Sequence, residues 1–206
     1  MRWDNEISRY AKKSGVRQGC IISPILFNLY SKFMIAEALE HESGIKFNGI
    51  NVMNLRYADD TMLVTNSRKK LQKMLDKLNI ACKIYGMALN VKKTKVMIVS
   101  NSKQEKCDIL FDNSILEQVS HNKYLGSWIT DDERCEEEIR TRIGMAKAAF
   151  WKNKEVMRGN IRFCTKMKIL NCYVFPVLNY GCESWTWNKA MCKTVNAFEM
   201  WCYRSL

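Results

Sequence analysis

What the chain lacks narrows its function first. No apolar run approaches ~18 residues, so no stretch reads as a membrane-spanning helix, and no membrane partner is expected. No Cys-x-x-Cys pair occurs among the nine cysteines, the count is odd, and no leader-like stretch precedes them. That pattern argues against a disulfide framework or a zinc site. Cys172, Cys182, Cys192 and Cys202 are evenly spaced, but their flanking residues do not repeat. The cysteines are therefore expected to be reduced, mostly buried thiols in an intracellular, reducing compartment, nucleus or cytoplasm. The two histidines, His41 and His121, lie far apart without ligand-like company and read as surface residues. No long low-complexity linker is present.

What is there is basic. The net charge is +12, and residues 66–106 alone hold eleven basic and two acidic residues. Such an excess suits a polyanion, with nucleic acid ahead of a membrane surface. A solvated lysine surface explains the same count. The apolar share of 47% over 206 residues is enough for one domain or two small ones.

Chemistry concentrates in Asn54-Leu55-Arg56-Tyr57-Ala58-Asp59-Asp60-Thr61-Met62-Leu63-Val64. Two short apolar runs flank two adjacent acids, which predicts a strand, a tight turn and a strand. Neighbouring side chains on one strand point to opposite faces, so adjacent acids share a site only where a turn breaks the alternation. Carboxylates on a rigid tip suit a hard divalent cation such as Mg²⁺. A plain solvated turn is the competing reading, since Asp is a common turn residue.

Upstream, Gly15-Val16-Arg17-Gln18-Gly19-Cys20-Ile21-Ile22-Ser23-Pro24 reads as a glycine-bearing loop feeding a helix. Ser23 is the expected cap and Pro24 the first helical residue. The helix should run to about Leu39 with Leu26, Tyr30, Phe33 and Ala36 near one face. Its N-terminus favours an anion. Asn48-Gly49 predicts a hairpin between 44–47 and 50–52. A second helix should run from a Ser67 cap to about Tyr85, with Leu71, Met74, Leu75, Leu78, Cys82 and Tyr85 as its stripe and Gly86 as its stop. Lys69, Lys70, Lys73 and Lys77 lie off that stripe. A lysine cluster, Lys92, Lys93 and Lys95, precedes an expected strand at 96–99. Residues 107–111 and 115–119 should pair around Asp112-Asn113-Ser114. Lys123–Trp128 reads as a short strand bent at Gly126. From Asp131 the chain turns helical: a helix capped by Asp131 or Asp132 with Ile139, Ile143, Ala146 and Phe150 inward, one from Thr165 to about Tyr180 kinked or ended by Pro176, and one from about Asn188 with Val195, Phe198, Trp201 and Cys202 inward. Most of the dense aromatics here read as core, with an occasional stacking role on nucleic acid.

These motifs occur in an order that resembles the reverse transcriptase of non-LTR (LINE-type) retrotransposons: Gly-Val-Arg-Gln-Gly-Cys-Ile-Ile-Ser-Pro, Tyr-Ala-Asp-Asp, Asn-Val-Lys-Lys-Thr-Lys, then Tyr-Leu-Gly. Phe175–Trp185 and Phe198–Cys202 look like the RTE/BovB group. The resemblance implies an α+β fold: a partial right-hand polymerase palm, an antiparallel sheet with packed helices over 1–125, then an α-helical thumb over 126–206. It implies that Asp59 and Asp60 are the catalytic metal ligands, with Asp59 the direct one, for Mg²⁺ with Mn²⁺ as substitute, two ions in a complete site. Lys93 would lie near the nucleotide's phosphates, with Lys95 as the alternative. Arg17, Gln18, Gly19 and Tyr57 would meet template and incoming nucleotide, and Tyr124, Leu125 and Gly126 would grip the primer end. The implied partners are an RNA template, a DNA primer or RNA–DNA duplex, and dNTP.

The family's palm has a further essential aspartate upstream of the Gly-Val-Arg-Gln-Gly loop. Asp4 is the sole aspartate in the first fourteen residues, and Arg2-Trp3-Asp4-Asn5-Glu6 does not resemble that strand. The expectation is a polymerase fragment, inactive alone. A non-catalytic nucleic-acid-binding remnant and a fragment without function are the rivals; a group II intron maturase fits the later residues less well.

Overall fold

The Ser-Pro step opens the first helix as the sequence suggests. In a computed structural model, which describes residues 15–17, 19–100, 106–132 and 134–206, α1 spans Ser23–Leu39 with Pro24 in its first turn. Ser23 is the first helical residue rather than a side-chain cap; its hydroxyl donates to the Arg17 carbonyl at 2.7 Å. The inward face also differs from expectation. Met34, Ile35, Ala38 and Leu39 are buried, whereas Leu26, Tyr30, Phe33 and Ala36 face outward. The physical reason is that α1 is apolar almost all round, so its pattern does not select a face.

α2 covers Arg68–Ile84 and buries Met74, Leu75, Leu78, Ala81 and Cys82. Gly86, at φ 65°, ends it. The Met87 N–H reaches the Cys82 carbonyl at 2.8 Å and the Gly86 N–H reaches Lys83 at 3.3 Å, the paired bonds of a Schellman stop. α1 and α2 share one core, against which Met53 and Leu63 also pack. The α2 lysines are not a free track: Lys73 and Lys77 lie 3.0 and 2.6 Å from Glu42, and Lys83 lies 3.0 Å from Asp112. The side-chain amide of Gln72 bonds Leu110 through both its backbone groups at 2.8 Å, which ties the 110–115 hairpin to this helix.

The strands are short antiparallel pairs. Ile45–Phe47 pairs with Ile50–Val52 around Asn48-Gly49, Asn54–Tyr57 with Asp60–Leu63, Leu110–Phe111 with Ser114–Ile115, and His121–Tyr124 with Ser127–Thr130. Among the described residues every sheet is two-stranded, so the fold is mixed helix and small antiparallel sheets, not one broad sheet. The expected strand at 96–99 shrinks to Lys95–Val96, and the expected strand through Gly126 is a hairpin.

The chain divides into two units. One gathers the described residues up to Val96 with Cys107–Glu117; the other holds those of 97–106 and Gln118–Leu206. The second is helical after its hairpin: α3 Glu136–Lys152, α4 Lys154–Arg158, α5 Phe163–Ile169, a π-helical turn at Leu170–Val174, α6 Phe175–Leu178 and α7 Lys189–Arg204. α3 starts later than an Asp131 or Asp132 cap would allow. Asp132 instead accepts from Thr130 Oγ1 at 2.6 Å and the Arg134 N–H at 3.0 Å. The Asn188 side chain caps α7, accepting from the Met191 N–H at 2.8 Å. Phe150, Met157, Leu170, Val174, Leu178, Phe198 and Cys202 form the main core. Of the aromatics, Trp185 and Phe198 are buried, while Trp187 is exposed.

All nine cysteines are free thiols, but only Cys82, Cys107 and Cys202 are buried. The others fall on outward helix faces or loops, which corrects the expectation of mostly buried thiols. Burial pushes the Cys202 thiol up to about 11. The Ile22 backbone N–H, followed by Ser23, draws exposed Cys20 below its ordinary value.

Candidate functional site

Asp59 and Asp60 sit at the tip of the 54–63 hairpin. Tyr57 pairs with Asp60, so Ala58 and Asp59 form the two-residue turn and Asp60 begins the return strand. The turn breaks the strand alternation at the adjacent acids. Both carboxylates are exposed, as is Tyr57. Ala58 has φ 52°, a left-handed conformation that residues with a Cβ rarely take. The hairpin base is anchored: Val64 N–H bonds the Met53 carbonyl at 2.8 Å, and Met53 and Leu63 pack on the α1–α2 core. An anchored base under an exposed acidic tip holds two oxygen donors open to solvent.

The other expected residues of this unit are near in sequence to the right elements, but no hydrogen bond or ion pair among the described residues joins Arg17 or Lys93 to Asp59 or Asp60. Arg17 is exposed, and its carbonyl receives the Ser23 hydroxyl and, at 3.3 Å, the Cys20 N–H. Gly19 follows with φ 84°. Gln18, like Asp4, lies outside the described residues. Lys93 projects from a turn organised by Asn90, whose backbone and side-chain oxygens accept the Lys93 N–H at 3.1 and 3.2 Å. Its ammonium is exposed and unpaired, whereas Lys95 is ion-paired with Glu117. Of the two lysines, only Lys93 keeps its charge free.

Tyr124, Leu125 and Gly126 belong to the second unit. The ladder starts at Tyr124 opposite Ser127, so Leu125 and Gly126 form the turn, at φ 49° and 85°. Three residues that the motifs did not single out hold it. Arg142 Nη2 donates to the Gly126 carbonyl at 2.6 Å, and the Tyr180 hydroxyl donates to the Leu125 carbonyl at 2.8 Å. Glu138 accepts from Arg142 Nε at 2.6 Å and from the Trp128 N–H at 2.8 Å. A signal existed for part of this: Glu138 and Arg142 are opposite charges four apart beside the apolar stripe of α3. Tyr180, 55 residues from Leu125, carried none.

A metal at the acidic tip would find hard oxygen donors from two residues, which suits Mg²⁺ completed by substrate phosphates. Among the described residues no group of three or more His, Cys, Asp or Glu side chains is gathered for a metal. No described helix is long and apolar enough to cross a membrane.

Comparison with known proteins points the same way as the motifs. The sequence profile for reverse transcriptase (RNA-dependent DNA polymerase) matches residues 1–129. A transposon-derived protein of Caenorhabditis elegans is 32% identical over 155 residues, which is 73% of this chain and 55% of that protein. The retrovirus-related Pol polyprotein of a type-2 retrotransposable element of Drosophila melanogaster is 31% identical over 133 residues, 60% of this chain and 12% of the polyprotein. The chain thus spans about half the length of the first relative and a small part of the second.

Proposed function

The chain belongs to the reverse transcriptase family, in the branch carried by non-LTR retrotransposons, and from that premise we propose that it carries the metal-holding hairpin and the primer-holding turn of an RNA-directed DNA polymerase. The observation that carries the reading is the exposed Asp59–Asp60 tip on a base packed into the core. In the reaction a primer 3′-hydroxyl attacks the α-phosphate of a dNTP, a P–O bond to that phosphate forms, and the bond to pyrophosphate breaks. A divalent cation, when bound, supplies charge stabilisation for the attacking and leaving oxygens. Asp59, with Asp60 beside it, would hold that cation. Lys93 would meet the triphosphate, since its ammonium is free while that of Lys95 is ion-paired. Arg17, Gln18, Gly19 and Tyr57 would contact template and nucleotide, through the open loop before α1 and the exposed ring at the hairpin tip. We assign the 1–125 and 126–206 parts to palm and thumb roles.

The Leu125–Gly126 turn would hold a primer phosphate. In a trans peptide the N–H points opposite to the C=O. The Leu125 carbonyl is bonded to Tyr180, so the N–H of the same peptide, on Gly126, is turned away from Tyr180 and outside the ladder. A free N–H aimed outward is a donor for an anion.

With two carboxylate residues at the tip and no third donor beside them among the described residues, the 206-residue chain is expected to bind primer–template but not to extend it alone. Primer extension on poly(rA)/oligo(dT) with Mg²⁺ or Mn²⁺ tests this. Robust synthesis abolished by Asp59→Ala would overturn the inactivity and establish the polymerase. Salt-sensitive duplex binding that survives Asp59→Ala without synthesis supports the second reading, a non-catalytic nucleic-acid-binding protein of the same family.

A further inference from the structure

The turn that would hold the primer is itself held by an uncommon device, and we propose that Glu138, Arg142 and Tyr180 act as a brace that fixes its orientation, with Arg142 and Tyr180 as positioning residues. The inference rests on the reading that this turn meets nucleic acid.

The brace is buried: Glu138 is 2% exposed and Arg142 6%. A buried ion pair is a poor device for stability, because desolvation offsets most of the attraction and apolar replacements often do as well. Its bonding shows another use. Beyond the bond that joins the pair, both acidic and basic partners spend their remaining reach on hairpin groups: Glu138 Oε2 on the Trp128 N–H at 2.8 Å, and Arg142 Nη2 on the Gly126 carbonyl at 2.6 Å and the Ser127 hydroxyl at 3.4 Å. The guanidinium lies over the Tyr180 ring at 4.3 Å, and the Tyr180 hydroxyl takes the neighbouring Leu125 carbonyl. Consecutive carbonyls of a two-residue turn are thus held by two side chains stacked on each other.

The surroundings leave little play in the turn. A Cβ on Gly126 would stand 3.4 Å from the Tyr180 ring, and one on Gly181 would stand 2.8 Å from Ser127 Oγ. Packing alone does not supply this constraint, because a cavity of about 720 Å³ lies against Tyr124, Leu125, Tyr180 and Trp185. With space on that side, polar bonds set where the turn points. Both carbonyls are fixed, so the Leu125–Gly126 peptide plane is fixed, and with it the direction of the Gly126 N–H.

The test uses binding, so it does not depend on catalysis. RNA–DNA primer–template duplexes carrying one neutral methylphosphonate at successive primer phosphates near the 3′ end are titrated by fluorescence anisotropy against the whole chain. For the unaltered protein one position should weaken binding about tenfold. Tyr180→Phe removes one oxygen, and Arg142→Lys cannot serve Glu138 and Gly126 together. Both should lose that position-specific penalty, with the ratio falling to about one, while circular dichroism melting shows that they fold. A merely structural role would weaken binding at all positions alike and leave the penalty in place, which would overturn the brace alone. Should Arg142→Lys not fold, Tyr180→Phe decides the matter. Equal binding at every position by the unaltered protein would overturn the primer-holding turn and the brace with it.

Discussion

The Ala58–Asp59 and Leu125–Gly126 turns close ladders of the same four-pair length, and each starts with a non-glycine residue in the left-handed region. Around them everything differs. The first offers side-chain carboxylates to solvent and has no protein partner at its tip. The second has its backbone carbonyls held from inside by buried, charged and aromatic groups. The contrast follows from what each would bind. A site for a cation needs its acceptor oxygens unspent, since each lone pair used internally is lost to the ligand. A site for an anion needs its N–H groups outward, which requires the carbonyls of the same peptides to be satisfied within.

The comparison can be broken in order of expected effect. Arg142→Ala leaves the Glu138 carboxylate buried without its partner and should lower unfolding free energy by about 3–5 kcal/mol in urea titration. Asp60→Asn at the other turn should leave the urea midpoint unchanged. Equal losses at the two would erase the distinction between braced and bare. Gly181→Ala should cost about 1–2 kcal/mol from its φ of 72°, and more to the extent that Ser127 cannot yield. At the bare turn the sign reverses: Ala58→Gly removes a left-handed Cβ and should raise stability by up to about 1 kcal/mol. The smallest effect is acid dependence. Lys77 and Lys73 hold the Glu42 carboxyl below its usual range, in the unit of the bare turn. A carboxyl with a lowered folded pKa stabilises above its unfolded value, and that contribution fades as pH falls through the folded one. The melting difference between the unaltered protein and Glu42→Gln should therefore be present at pH 7 and vanish in strong acid.

Much of this was legible residue by residue. Pro24, Gly86, Asn188 and Asn48-Gly49 act through their own backbone preferences, and the elements begin, end or turn where those residues stand. The acidic turn was legible for the same reason. The inward face of α1 was not, because a helix apolar on every side carries no phase in its sequence. Asp132 misled because its side chain found Thr130 and Arg134 before it could cap α3. Val99 and its neighbours have strand-forming side chains but no described ladder partner, and a strand exists only where one pairs. The brace was half visible, in the Glu138–Arg142 spacing. The other half depends on Tyr180 arriving from a distant helix, which tertiary packing alone decides.

That arrival depends on a count of residues. Leu170, Val174 and Leu178 are all buried, four apart. On an α-helix such a series drifts by about 40° per step, and the π-helical turn at Leu170–Val174, holding an extra residue per turn, absorbs the drift just before Pro176. The wide turn therefore works as a phase setting for everything downstream. Deleting any one residue within it would restore α geometry and rotate the following helix by about 100°. Leu178 would swing out of the core and Tyr180 away from Leu125, with every side chain of the brace still present in the sequence.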